Sequence, residues 1–222
     1  MQWNPTWETV FSQQAWGKYP AEPLIRFVAR NYYQTERSQI RFLELGCGPG
    51  ANLWFLAREG FGFVGVDGSP TAIRQAGERL DLECPGWRER GQLLVADVTM
   101  LDLPTESFDA VIDNECVYCM PFDSALSIYR QAWQLLKPGG RIFARTFSAE
   151  TWGMGSGQRL EDDYYICSDG PLAHKGASRF TRREQLDTLF QPFGQLQVEK
   201  TTVSYGGGEQ VVAEWLIEGV KA

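Results

Sequence analysis

The stretch Arg41-Phe42-Leu43-Glu44-Leu45-Gly46-Cys47-Gly48-Pro49-Gly50 decides how the chain is read. Arg41 to Leu45 is an apolar run of strand length. It passes straight into glycines, and a helical pattern follows from Ala51 to Glu59. Glycines at such a junction let the backbone turn sharply and approach a ligand closely, and the helix N-terminus behind them offers free N–H groups. Gly46, Gly48 and Ala51 also fit the dinucleotide spacing G-x-G-x-x-A, a weak signal when it stands alone.

The same rhythm continues outward. Phe61 to Val66 is a second strand, followed by Ser69 as an N-cap with Pro70 in the first helical position, a strong start signal. Ile73, Ala76 and Leu80 carry that helix at spacings of three and four. Gln92 to Ala96 and Phe108 to Asp113 are the third and fourth strands. The stripe Leu126, Tyr129, Trp133, Leu136 predicts a helix that Lys137-Pro138-Gly139-Gly140 stops, and Arg141 to Phe147 is the fifth strand. Strands alternating with helices imply a mostly parallel sheet covered on both faces. Gln195 to Val203 and Gln210 to Glu218 are joined by a loop too short for a parallel crossover, so they form an antiparallel hairpin. The expected fold is α/β: a doubly wound, seven-stranded, mostly parallel sheet ending in that hairpin.

The expected organisation is a single domain over 1–222. Residues 1–36 form an N-terminal helical cover, with an amphipathic helix from Pro20 to Tyr33 on Leu24, Phe27, Val28 and Tyr32. Residues 37–147 form the core. Residues 148–180 lack periodicity, and with Gly153, Gly155 and Gly157 they read as a mobile loop or lid. Residues 181–222 hold a last helix, opened by a capping box Thr181-Arg182-Arg183-Glu184, and the hairpin.

Composition narrows the class. The chain has 222 residues, 43% hydrophobic, 13% aromatic and 22% charged, with a net charge of −7. Those fractions exclude a disordered chain or a coiled coil. The acidic balance disfavours nucleic acid and anionic membranes as partners, because phosphate affinity needs clustered Lys and Arg. There is no signal-peptide pattern in Met1 to Val10 and no stretch near the ~18 apolar residues of a membrane span. Five cysteines, odd in number and sparse, point to free thiols in a reducing cytoplasm.

Carboxylates at the ends of successive strands carry the functional reading. Glu44 lies inside an apolar run, and an unpaired buried charge costs on the order of several kcal/mol. It needs a partner. Arg41 is one candidate, although a regular strand turns it to the other face; a cationic ligand is the second. Asp67 ends the second strand, where a carboxylate can accept from both ribose hydroxyls; the alternative is a helix cap, a role Ser69-Pro70 already fills. Asp97 ends the third strand in Ala96-Asp97-Val98, suited to an adenine amine with Val98 against the ring, or to a local turn. Asp113-Asn114-Glu115 ends the fourth. Ligands of open α/β sheets bind along that edge.

With ELGCGPG at 44–50, GVDGSP at 65–70, ADV at 96–98, FDAVID at 108–113 and LLKPGGR at 135–141, the chain resembles a class I S-adenosylmethionine-dependent methyltransferase of the small bacterial type, over roughly residues 41–147. The resemblance implies a Rossmann-like fold, S-adenosylmethionine as cofactor and methyl transfer to an acceptor. It further implies that Gly46, Cys47 and Gly48 pass under the methionine part of the cofactor. Glu44, Asn52 and Asn114 would lie around that part, Asp67, Gly68 and Ser69 at the ribose, and Asp97 and Val98 at adenine. Trp16, in Trp16-Gly17-Lys18-Tyr19-Pro20, resembles the family's N-terminal cover.

Methyl transfer from a sulfonium is an in-line displacement in which alignment supplies several kcal/mol on the order of. A hydroxyl or weakly acidic carbon acceptor also gains from a general base. The candidates are Glu115, Tyr118 and the single histidine, His174. Cys116 and Cys119 have C-x-x-C spacing without a second ligand pair, so no metal is expected. Trp3, Trp7, Trp16, Trp152, Tyr164 and Tyr165 either enclose the pocket mouth or pack against the sheet. The expected function is small-molecule methylation. The alternatives are a nicotinamide-dependent oxidoreductase, against which Glu44 and the hairpin argue, and a non-catalytic module that binds the adenosyl ligand. A nucleic-acid acceptor is disfavoured also because Asp113-Asn114-Glu115-Cys116 stands where amino-directed members carry an Asp- or Asn-Pro-Pro-Tyr tetrad.

Overall fold

A computed structural model describes residues 5–222. Its centre is a seven-stranded sheet. The strands are β1 (Arg41–Leu45), β2 (Gly62–Asp67), β3 (Gly91–Val95), β4 (Phe108–Asn114), β5 (Leu136–Phe147), β9 (Gly194–Tyr205) and β10 (Gln210–Val220), in the order β3-β2-β1-β4-β5-β10-β9. β1 to β5 run parallel, and β10 pairs antiparallel with both β5 and β9. The chain moves outward from β1 to β3, then crosses back to place β4 on the other side of β1. That reversal opens a crevice beyond the carboxyl ends of β1 and β4.

The helices follow the sequence pattern. α3 (Ala51–Arg58) starts at Gly50, whose φ of 80° is left-handed. α4 (Pro70–Glu83) is capped by Ser69, whose Oγ accepts from the Ala72 N–H at 3.0 Å. α2 (Glu22–Tyr32) buries Leu24, Phe27, Val28 and Tyr32 on one face of the sheet, beside Phe42, Phe63 and Phe143. α5 (Phe122–Leu135) and α6 (Arg183–Leu189) cover the other face, against Leu43, Val64, Val111 and Ile142.

Four details depart from the expectations. α1 (Thr6–Gln13) was not anticipated, although Trp7, Val10 and Phe11 have helical spacing. Leu136 belongs to β5, not to the preceding helix, because Leu136 pairs with Phe108 and a bulge accommodates the Lys-Pro-Gly-Gly segment before Arg141 meets Ala110. The last helix is capped at Arg182, not Thr181: the Arg182 N–H donates to Gln185 Oε1 at 2.7 Å. Thr181 cannot serve, since it is fully buried, its Oγ1 accepts from Arg179 and its N–H donates to the Phe147 carbonyl. Residues 148–180, expected as a mobile loop, carry a three-stranded antiparallel sheet: β6 (Gln158–Glu161), β7 (Tyr164–Ile166) and β8 (Ala177–Arg179). Each strand has at most four residues, too short for periodicity to register. Among the described residues, no helix is long and apolar enough to cross a membrane.

Candidate active site

A cavity of about 330 Å³ lies in the crevice beyond β1 and β4. One side is formed by the β1–α3 loop, Gly46, Cys47 and Gly48 with Glu44 and Asn52. Asp67, Gly68 and Val98 lie on its wall, and so do Asn114, Glu115 and Tyr118 after β4. Trp7 and Phe11 of α1, with Trp16 and Tyr19, form the lid. Phe147, Leu172, Arg145 and Lys175 complete the lining.

Glu44 is 2% exposed. Asn52 Nδ2 donates to its Oε1 at 2.6 Å, while Oε2 is buried with no partner. Burial pushes its carboxyl up to about 8, against the Asn52 hydrogen bond that favours ionisation. Arg41 is engaged elsewhere: its guanidinium lies over the Phe108 ring, 5.2 Å from the centroid. Asp67 Oδ2 accepts from the Gly48 N–H at 2.9 Å and Oδ1 from the Ser69 N–H at 2.8 Å, so it braces the glycine loop against the start of α4. Burial raises its carboxyl above the usual range. Gly46 has φ 62°, and a Cβ there would collide with Cys116 Sγ. Only glycine permits that approach of the two loops.

Three sequence candidates lie off the cavity wall. Ser69 Oγ donates to Glu8 on α1 while capping α4, which spends its hydroxyl in tying the lid to the core. Asp97 Oδ1 accepts from the Thr99 N–H at 2.9 Å and from Thr99 Oγ1 at 2.7 Å, the local turn that was its alternative reading, and only its neighbour Val98 lines the cavity. His174 is exposed with φ 63° and points to no part of the lining. Of the aromatic candidates, Trp7 and Trp16 line the cavity and meet edge to face at 5.7 Å. Trp152 donates to Asp169 and Tyr164 to the Cys119 carbonyl, and neither they nor Tyr165 reach the cavity. Trp3 lies outside the described residues.

Asp113 is a buried brace: its carboxylate accepts from Tyr129 OH at 2.6 Å and from the N–H groups of Cys116 and Val117. Those bonds turn the chain so that Glu115, in a left-handed conformation with φ 61°, faces the cavity. Such a conformation costs a non-glycine residue of order 1 kcal/mol and concentrates at functional sites. The Glu115 carboxyl is held above the ordinary carboxylate range, mainly by burial and then by Glu214, and Arg145 opposes the shift. Tyr118 is pushed well above the usual phenol range by burial, so it stays protonated. The Asn114 Oδ1 is buried without a partner. Sequence reasoning missed Phe11, Arg145, Phe147, Leu172 and Lys175. The one available signal was Arg145 inside an apolar strand, which finds its counter-charge in Glu214 of β10. Among the described residues, no group of three His, Cys, Asp or Glu side chains gathers as a metal site.

A family model described as a methyltransferase domain matches residues 42–140. The mitochondrial ubiquinone biosynthesis O-methyltransferase of Mus musculus is 28% identical over 178 residues, 79% of this chain and 46% of that protein. The chain thus spans about half the length of that curated relative. A crystal structure of an S-adenosylmethionine-dependent methyltransferase from Methanosarcina mazei superposes with a TM-score of 0.71 at 19% identity, covering 87% of this chain and 96% of that one. Phosphoethanolamine N-methyltransferase 2 of Haemonchus contortus, solved with S-adenosyl-L-methionine, gives 0.67 at 17% identity, covering 97% and 56%. These two likenesses concern the fold. Through residues 42–140 the chain matches a methyltransferase domain, and its fold is the one seen in S-adenosylmethionine-dependent methyltransferases.

Proposed function

We propose that this protein transfers a methyl group from S-adenosylmethionine to a small-molecule acceptor held in the same cavity. The observation that carries the reading is Glu44: a buried carboxyl, satisfied on one oxygen and orphaned on the other, at the floor of a glycine loop. An orphaned acceptor is costly unless a ligand donor completes it, and an ammonium is the donor that also favours its charge. A pyrophosphate at that place would be repelled, which disfavours the nicotinamide reading. The cofactor's residues fit on the same ground: Glu44, Asn52 and Asn114 for the amino-acid end, Gly46, Cys47 and Gly48 beneath it, Asp67 and Gly68 for the ribose, and Val98 for the adenine face, with Trp16 covering the mouth. Asp97 and Ser69 stand behind this set through their turn and cap.

When bound, the cofactor supplies a methyl group already activated by its sulfonium. The chain's own contribution is then alignment and enclosure. Tyr118, Phe147 and Leu172 give the acceptor an apolar wall, and Trp7, Phe11 and Trp16 exclude water from above. Glu115 is the group placed to take a proton from the acceptor. The whole chain would act as one domain, with 1–36 as cover and 148–180 as the wall of the acceptor end. Five unpaired cysteines support a reducing, cytoplasmic setting. Calorimetric titration tests the reading: S-adenosylmethionine and S-adenosylhomocysteine should bind and NADH should not. Tight NADH binding without adenosyl binding would remove it.

A further inference from the structure

The acceptor end of the cavity holds two cations of different standing. Arg145 is spent: its Nε and Nη2 bond to the Glu214 carboxylate at 2.7–3.0 Å, and Nη2 also lies 3.1 Å from Glu115. Lys175 has no carboxylate within ion-pair distance among the described residues. Its chain follows the turn from Leu172, whose carbonyl accepts the Lys175 N–H, and its ammonium lies 5.8 Å from the Trp16 ring centroid at the mouth. A surface lysine would extend into water. This one is half-buried, held over an indole and directed along the wall.

The charge balance of that end is therefore uneven. Arg145 is ion-paired with both Glu214 and Glu115, so its charge is met within the protein. Among the described residues, Lys175 is left without an ion pair beside an apolar surface of Tyr118, Phe147 and Leu172. A neutral acceptor would leave the ammonium partly desolvated without compensation. A phosphate monoester would bring a surplus negative charge into a half-buried site. Resting on the methyltransferase reading of the cavity, the geometry points to an acceptor that carries a single carboxylate, seated with its charge at Lys175 and its apolar body against Tyr118, Phe147 and Leu172. Lys175 then selects the acceptor, and Trp16 holds the ammonium between cofactor cover and acceptor.

The test uses the full chain, both free and loaded with S-adenosylhomocysteine, and compares benzoate, phenylacetate and octanoate with their primary amides and with phenyl phosphate by calorimetry. At least one acid should bind tenfold or more tighter than its amide. Lys175→Met should reduce that preference to less than threefold, and Lys175→Arg should retain it. Acids and amides binding alike, no acid binding at all, or a preference that survives Lys175→Met would each overturn the proposal. Phenyl phosphate outcompeting every acid would overturn the carboxylate assignment. Adenosyl binding is read separately in the loading step, so its absence sinks the methyltransferase reading without deciding the role of Lys175.

Discussion

Asn52 Nδ2 reaches Glu44 Oε1 across 2.6 Å and leaves Glu44 Oε2 without a partner in a fully buried setting. The pair couples stability to ligand binding. A carboxyl raised from 4.5 to about 8 keeps its proton in the folded state after the unfolded chain has lost it. Its contribution to stability therefore falls as pH rises from the unfolded value through about 8. Glu44→Gln should remove that fall and stabilise the cofactor-free protein at pH 8 by on the order of a few kcal/mol. The same variant should bind S-adenosylmethionine at least ~10-fold more weakly, for want of a charge to meet the ammonium. Melting curves at pH 5 and pH 8, with titrations alongside, check both. An unchanged affinity would remove Glu44 from the cofactor set.

The first strand, its glycine loop and Asp67 were readable because the fold demands them locally: only certain residues make a sharp turn or end a buried strand. Ser69-Pro70 likewise announced α4, and the structure confirms the cap. The acceptor end was not readable. Arg145, Phe147, Leu172 and Lys175 come from β5 and a turn before β8, and they meet only through sheet register and the small β6–β8 sheet. No local rule encodes such meetings. At Asp97 the strand-end position suggested a ligand, and the structure adds a local turn in which its Oδ1 accepts from the Thr99 N–H and hydroxyl.

Glu115 should impose a pH dependence on turnover. Burial and the neighbouring Glu214 hold its carboxyl above the ordinary carboxylate range, and a base works only when deprotonated. With a hydroxyl acceptor, the rate should rise with pH and level off at neutral or alkaline values. Glu115→Gln should lower kcat by ~10²-fold or more and flatten the rise. A variant that keeps the full profile would assign the pH dependence to another group.

At Gly46 the glycine loop packs against Cys116 in the segment after β4 so tightly that a Cβ would have no room. Gly46→Ala adds a Cβ at a left-handed residue and against Cys116 Sγ, so it should destabilise the protein by about 1–3 kcal/mol and weaken adenosyl binding. Cys116→Gly alone should cost less, and the double variant should recover part of the loss from the collision. Denaturant unfolding of the four proteins measures the coupling. Strict additivity would mean that backbone strain alone accounts for the effect.

Glu8 fixes the lid. Its carboxylate accepts from Ser69 Oγ and from Thr71 Oγ1 at 2.5 Å, at the N-terminus of α4, where the helix dipole also favours a negative charge. Those hydroxyl bonds hold its carboxyl below the usual range. α1 has eight residues, too few to persist alone, so its position depends on this anchor and on Trp7 and Phe11 packing with Trp16. Glu8→Gln should weaken the anchor while leaving the aromatic cluster in place. The expected result is faster amide exchange over residues 6–13 and a several-fold faster release of S-adenosylhomocysteine. Acidification of the wild-type protein through the carboxylate range should reproduce the exchange effect, because protonated Glu8 accepts less well. If exchange in α1 is the same in Glu8→Gln and wild type, the aromatic contacts alone hold the lid.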